Sequence, residues 1–265
     1  MTMTLDRDRI IPEREPRPLG AIVSQRMLDA MRRGGADLAQ LGVPATAEEP
    51  GPLWTDVAEP QARARAAIWR NSVMEASHHD YLNWRLADLD AAQKPNVLRG
   101  WLTSLVEAKE RKGRPGTLHL IAPGRIGTGK TTALAALGNE ASAAGLLVRF
   151  IKHPTYVSWR RPDGAPGEST GYRVRKQHVE CDLLILDELC GEMDGLATEF
   201  VRRETVDLID SRLSAGRPTA FSTNLNRQQI TAVLGERLLS RIEDRAHLVK
   251  IEGPDRRAPR KPLDW

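Results

Sequence analysis

Cysteine is scarce in this chain of 265 residues: there are two, Cys181 and Cys190, with no Cys-x-x-Cys or histidine partner spacing. That excludes a zinc module and a disulfide framework, and leaves Cys181, beside an apolar run, as a small buried hydrophobe. No sign of charge dominates, since Lys+Arg 39 stands against Asp+Glu 35 for a net +4. No strong field therefore advertises nucleic acid. No apolar stretch reaches about 18 residues, and the charged, proline-rich start has no apolar signal core. The composition predicts a soluble cytoplasmic protein without a membrane role. The length is more than one domain needs and less than two full ones.

What is present centres on residues 117–132. An apolar run with Leu118, Leu120 and Ile121 leads into Gly124-Arg-Ile126-Gly127-Thr128-Gly129-Lys130-Thr131-Thr132, and the helix-forming Ala133–Leu137 follows at once. Strand, glycine loop and helix in that order form the context a phosphate-binding loop requires. Glycines let backbone N–H groups approach phosphate oxygens, and the helix N-terminus adds unpaired donors and partial positive charge. Lys130 would reach the β- and γ-phosphates, and the Thr131 hydroxyl would take one position on Mg²⁺. The bland alternative is a glycine turn that binds nothing.

Upstream, residues 1–19 alternate charge and proline and read as a flexible tail. Residues 20–41 predict a short helix with Val23, Met27 and Met31 on one stripe, broken at Gly34-Gly35. Residues 42–60, with Pro44, Pro50, Pro52 and Pro60, read as a linker. From Gln61 the composition turns helical, with Ile68, Trp69, Ser72, Val73 and Ala76 on one side, and a further helical piece carries Tyr81, Trp84 and Leu89. Trp54, Trp69, Trp84 and Trp101 all precede the glycine loop, either stapling small helices to a core or forming an apolar docking face. The pair His78-His79 is a poor metal site, because adjacent helical residues point apart. Asn96–Lys112 is a cleaner helix, with Leu98, Trp101, Leu102, Leu105 and Val106 on one face.

Downstream, Gly145 caps the loop's helix and 146–151 reads as a strand. Residues 154–180 read as a long, basic, partly irregular stretch with Arg160, Arg161, Arg173, Arg175 and Lys176. Trp159 and Tyr172 are its candidate stacking groups for single-stranded nucleic acid, against a plain solvated loop. The run Leu183–Leu186 predicts a strand buried on both faces, delivering Asp187 and Glu188 at its carboxyl end. Asp187 is placed to hold Mg²⁺ and Glu188 to activate the attacking water. A helix over 199–215 and a strand over 219–223 follow, the strand ending in Asn224, a candidate for the γ-phosphate or its water. Then Gly235-Glu-Arg237-Leu-Leu-Ser-Arg241 leads into a last strand, 246–251, with Arg237 and Arg241 on one helix face.

On these motifs residues 96–253 resemble the nucleotide-binding domain of AAA+ ATPases. More narrowly they look like the bacterial helicase loaders DnaC and DnaI and the transposition helper IstB. Gly124–Thr131 matches Walker A, Leu183–Glu188 Walker B, Ser222-Thr-Asn224 sensor 1, and Gly235–Arg241 the box that carries the arginine finger. The resemblance implies an α/β three-layer sandwich with a central parallel sheet and no helical lid bundle, because residues 252–265 are too few to build one. A small, mostly helical partner-binding region over 1–93 would precede an ATPase domain over 94–253, with a tail over 254–265. It also implies ATP and Mg²⁺ as ligands, Asn224 sensing the γ-phosphate, and Arg241, rather than Arg237, reaching into a neighbouring subunit's site. Arg256 or Arg257 would be the candidate for a second sensor. The leading function it implies is loading of a hexameric replicative helicase onto single-stranded DNA by an ATP-controlled assembly. The alternative is a transposition helper that assembles on DNA and recruits a transposase. A small-molecule kinase is a third reading, disfavoured because Asp187-Glu188 supplies a water activator, and a switch with negligible turnover overlaps the first two.

Overall fold

Five short strands form one sheet: β1 (His119–Pro123), β2 (Val148–Lys152), β3 (Leu183–Asp187), β4 (Thr219–Thr223) and β5 (Ala246–Leu248). The order is β2-β3-β4-β1-β5, and every pairing is parallel. Parallel neighbours need crossovers, and helices supply them: α4 (Lys130–Ala143), α5 (His153–Arg160), α6 (Gly171–Glu180), α7 (Glu199–Ser214), α8 (Arg227–Leu234) and α9 (Glu236–Glu243). Upstream lie α1 (Gln25–Arg33), α2 (Thr55–Glu75), α3 (Pro95–Glu110) and three 3₁₀ turns between 79 and 93. This computed structural model describes residues 25–35, 55–76, 79–191 and 198–257. The chain divides into two units, Met1–Pro60 and Gln61–Trp265.

In the second unit, alternation along the strands builds two cores. Leu120, Ala122, Leu183, Ile185 and Ala220 face a layer formed by α3, α4 and the Trp69–Val73 part of α2. Ile121, Leu184, Leu186 and Phe221 face α5 to α9. The architecture is therefore the expected three-layer sandwich. β3 is buried at every position, as the unbroken apolar run predicts for an inner parallel strand. Beyond Ile251 nothing helical follows among the described residues.

The helix of 20–41 is found as α1, and its break holds, with Gly35 at φ 77. Val23, residues 1–19, Trp54 and His78 lie outside the described residues. α2 begins at Thr55 rather than Gln61, so Pro60 falls inside it. There the missing N–H removes one helical bond without stopping the helix. Trp69 and Trp101 are buried and staple α2 and α3 to the core, whereas Trp84 is 37% exposed. Both cysteines are buried and free.

The stretch 154–180 needs correction. It is mostly helical, α5 and α6 joined by residues 161–170. Pro154 lies in the first turn of α5, where a missing N–H costs nothing, and Thr170 caps α6 by accepting from the Arg173 N–H at 3.2 Å. Pro162, Gly164, Pro166 and Gly167 all fall in the short connection.

Candidate active site

The glycine loop sits where the sequence places it, between β1 and α4. Gly127 and Gly129 have φ 83 and 84, left-handed values that a side chain would strain. Gly124 is held for a different reason: a Cβ there would collide with the Ile251 carbonyl of the chain running on from β5. Lys130 opens α4, is 8% exposed, and donates to the carbonyls of Gly124 at 2.9 Å and Arg125 at 2.8 Å. Burial pulls its pKa down, opposed by the Asp187 carboxylate. An arriving phosphate offers an anionic acceptor that outcompetes those two neutral carbonyls.

β4 lies between the strands that carry the two halves of the site, and it ties them together. The Ser222 hydroxyl donates to Asp187 Oδ1 and accepts the Glu188 N–H at 2.9 Å. The Ser222 carbonyl accepts from Leu189 at 2.8 Å, and the Thr223 carbonyl accepts from Gly124 at 3.2 Å. Asp187 is fully buried, with the Thr131 hydroxyl 3.2 and 3.1 Å from its two oxygens. Burial raises the Asp187 pKa, and the Ser222 and Thr131 hydroxyls work against that shift. The Thr131 hydroxyl and Asp187 carboxylate form a hard oxygen pair beside the anion loop. That donor chemistry fits Mg²⁺, which is bound through one or two carboxylates plus substrate phosphates.

Glu188 has φ 54, a left-handed value uncommon outside glycine and one that clusters at functional sites. Its Oε1 pairs with Lys152 Nζ at 3.2 Å, and its Oε2 is buried with no hydrogen-bond partner among the described residues. Lys152 and Asp187 are register partners on β2 and β3, which is why this lysine arrives here. Lys130, Thr131, Glu188 and the exposed Asn224 line one cleft, and Arg257 joins them from the C-terminal segment. Ile126, 64% exposed, stands at the lip of the same cleft. Thr132, in the first turn of α4, meets the Tyr81 phenol.

Arg241 does not line this cleft. It lies on α9, ion-paired with Asp210, and Arg237 is exposed one turn earlier. Of the two arginines proposed as a second sensor, Arg257 enters the cleft while Arg256 grips the outside of the loop, donating from Nε to the Thr128 carbonyl at 3.1 Å. In the α5–α6 region Tyr172 is 71% exposed, whereas Trp159 packs against the core. Arg160 pairs with Glu204 at 2.7 Å and Arg175 with Asp207 at 2.5 Å, so Arg161, Arg173 and Lys176 carry the exposed charge there.

A glycine loop after β1, an acidic pair at the carboxyl end of β3 and a polar residue after the β4 between them sit on a parallel sheet of the AAA+ type of fold. No protein-family model matches the chain. Over part of its length it is homologous to the helicase loaders: DnaC of Escherichia coli strain K12, a replicative helicase loader, is 30% identical over 124 residues, 46% of this chain and 49% of DnaC. The uncharacterized protein YdaV of the same strain is 30% identical over 129 residues, 48% of this chain and 50% of YdaV. The chain thus spans about half the length of the curated relatives it matches. Among solved structures, DnaI superposes with TM-score 0.52 at 22% identity, covering 67% of this chain and 92% of DnaI. The DnaC helicase loader gives 0.51 at 19%, covering 65% and 99%. DnaA of Aquifex aeolicus, solved with AMPPCP bound, gives 0.51 at 22%, covering 64% and 50%. These superpositions show the fold. Among the described residues no helix is long and apolar enough to cross a membrane.

Proposed function

We propose that the chain is an ATP-dependent loader of a hexameric replicative helicase onto single-stranded DNA, acting as an ATPase whose assembly is controlled by the bound nucleotide. The observation that carries this reading is the convergence of Lys130, Thr131, Asp187, Glu188 and Asn224 at one sheet edge. The half-length homology to DnaC directs it toward loading. The loop amides from Gly124 to Thr132 and the Lys130 ammonium would take the phosphates. Thr131 and Asp187 would hold Mg²⁺, which when bound supplies charge neutralisation on the phosphate oxygens. Glu188, released from Lys152, would accept the proton of the attacking water, and Asn224 would orient that water or the γ-phosphate.

Arg241 would act on the neighbouring subunit's nucleotide. Its place outside the chain's own cleft supports that reading. In the related GTPase case such a finger is worth roughly 10³–10⁵-fold, so the isolated chain should turn over slowly. Residues 1–93 would present the partner-binding helices. Tyr172 with Arg161, Arg173 and Lys176 would meet single-stranded DNA by stacking and charge.

Two experiments test this. Lys130→Ala should lose nucleotide binding, while Glu188→Gln keeps it and accumulates the ATP-bound assembly; equal nucleotide affinity for Lys130→Ala and wild type would sink the site. A pull-down with ATP-loaded protein should retain the replicative helicase. Recovery of a transposase and no helicase would favour the transposition-helper reading instead.

A further inference from the structure

The back of the phosphate loop is held by two segments remote from it in sequence. For the amides of residues 127–129 to face an anion, their carbonyls must face outward, and all three carbonyls are engaged there. The Gly127 carbonyl accepts the Arg256 N–H at 2.9 Å, the Thr128 carbonyl accepts Arg256 Nε at 3.1 Å, and the Gly129 carbonyl accepts Gln93 Nε2 at 3.1 Å. The same Arg256 guanidinium pairs with Asp90. Asp90 also caps the 3₁₀ turn Ala91–Gln93: its carboxylate accepts the Ala92 N–H at 2.9 Å, and its own N–H donates to Gln93 Oε1 at 3.3 Å. Gln93, 2% exposed, is thereby fixed at both ends of its amide. The chain leaving β5 completes the arrangement, with the Ile251 N–H on the Pro123 carbonyl at 2.9 Å and the Glu252 N–H on the Ala92 carbonyl at 3.2 Å. Side chains at Gly127 or Gly129 would collide with Asp255, or with Gln93 and Arg256. The glycines therefore serve this closure as well as their own backbone.

We infer that residues 90–93 and 252–257 form a clip that holds the phosphate loop in its anion-receiving conformation, closed by the Arg256–Asp90 pair with Arg256 as the positioning residue. The inference rests on the reading of the cleft as a nucleotide site. The Gly129 carbonyl also accepts the Ala133 N–H of α4 at 2.9 Å, but the Gly127 or Thr128 carbonyl, once released from Arg256, can turn inward, where it would repel a phosphate oxygen and remove one amide from the receiving set. Arg256 touches no ligand in this scheme and acts through the loop backbone alone. It also tethers the segment that carries Arg257 into the cleft.

The test uses full-length protein, amide hydrogen exchange without nucleotide, and titration with a fluorescent ATP analogue. Arg256→Ala should speed exchange selectively at residues 124–131, weaken analogue binding at least tenfold, and leave the nucleotide-free melting temperature near wild type. Arg256→Lys, which keeps the backbone donor and the charge on Asp90 but not the Nε bond, should recover part of the affinity. Asp90→Asn should show the same loop-confined exchange, and combining it with Arg256→Ala should add nothing, because both open one clip. Unchanged exchange at 124–131 in Arg256→Ala and Asp90→Asn overturns the clip whatever the nucleotide does. Loosened loops in the variants with no analogue binding by wild type would uphold the clip and strike down the nucleotide reading.

Discussion

Replacing Ser222 by alanine removes two bonds from the centre of the site at almost no cost in volume. One is donated to a buried carboxylate and the other accepted from the Glu188 N–H at 2.9 Å. A hydrogen bond to a charged group contributes about 1.5–3 kcal/mol and a neutral one about 0.5–1.5. Asp187 is fully buried, so solvent does not replace what is lost. Burial already raises the Asp187 pKa and the Ser222 hydroxyl opposes it, so Ser222→Ala should raise it further and favour the protonated acid. A cation site needs the carboxylate, so the defect should deepen as pH falls and shrink as pH rises. Losing about 1.5–3 kcal/mol corresponds to roughly 10- to 150-fold. Titration of a fluorescent ATP analogue with Mg²⁺ should show weakening of that order, greater at lower pH than at higher. A Ser222→Ala protein that binds like wild type, or is weakened equally at every pH, would refute the claim that this hydroxyl favours the ionised form of Asp187.

Three other outcomes follow from the same structure. Arg241→Ala should keep ATP binding and lose DNA-stimulated hydrolysis; unchanged turnover would remove its role in trans. Arg212 is wholly buried and makes no ion pair among the described residues, donating instead to the carbonyls of His178 at 2.7 Å and of Val179 and Cys181 at 3.1 Å, and to the Thr219 hydroxyl at 2.8 Å. Arg212→Met strands those oxygens, at about 1–3 kcal/mol for each left unsatisfied, so urea unfolding should show a loss of that order, and a loss under about 1 kcal/mol would be inconsistent with that role. His119, His153 and His178 are buried, and burial takes each from 6.5 to about 4. Their neutral forms stabilise the fold fully above the unfolded pKa of 6.5, and that contribution fades as pH falls from 6.5 toward 4. Each contributes about 2 kcal/mol less by pH 5, so unfolding free energies that stay flat from pH 7 to 5 would contradict it.

His153 shows how such a proton is fixed. Its Nδ1 accepts the Cys190 N–H at 3.3 Å, so its Nε2 carries the hydrogen toward the Thr205 hydroxyl at 2.8 Å, which itself donates to the Val201 carbonyl at 2.7 Å. Protonating Nδ1 would oppose two donors.

What the sequence made legible was what it carries locally. The glycine loop, the buried run ending in Asp187-Glu188 and the helix through Arg212 each announce themselves within a few neighbouring residues. Contacts set by register were hidden. Ser222 was readable only as part of the motif ending in Asn224, and its bridging role needs β4 placed between β1 and β3. Lys152 meets Glu188 only once β2 pairs with β3. Arg256 and Asp90 are far apart in the chain, and no periodicity joins a terminal segment to a short turn. The helix over 199–215 was readable with Arg212 on its apolar face, but the partners that let its guanidinium be buried, carbonyls from α6 and the edge of β4, were not. The α5–α6 stretch was misread because composition outweighed two local signals, Pro154 and Thr170.

One feature of α4 reaches beyond the site. The Trp69 indole lies over Gly138, where even a methyl group would collide with it, and donates to the Asn139 side chain at 2.7 Å. Asn139 in turn donates to the carbonyls of Tyr81 at 2.8 Å and Trp84 at 2.7 Å, and Glu140 accepts the Leu86 N–H at 2.8 Å. The helix that begins with Lys130 is thus bolted along its length to residues 69–86. A force applied to α2 would be borne by the rod whose other end carries Lys130, so a partner that grasps this part of the chain would have a handle on the glycine loop without touching it.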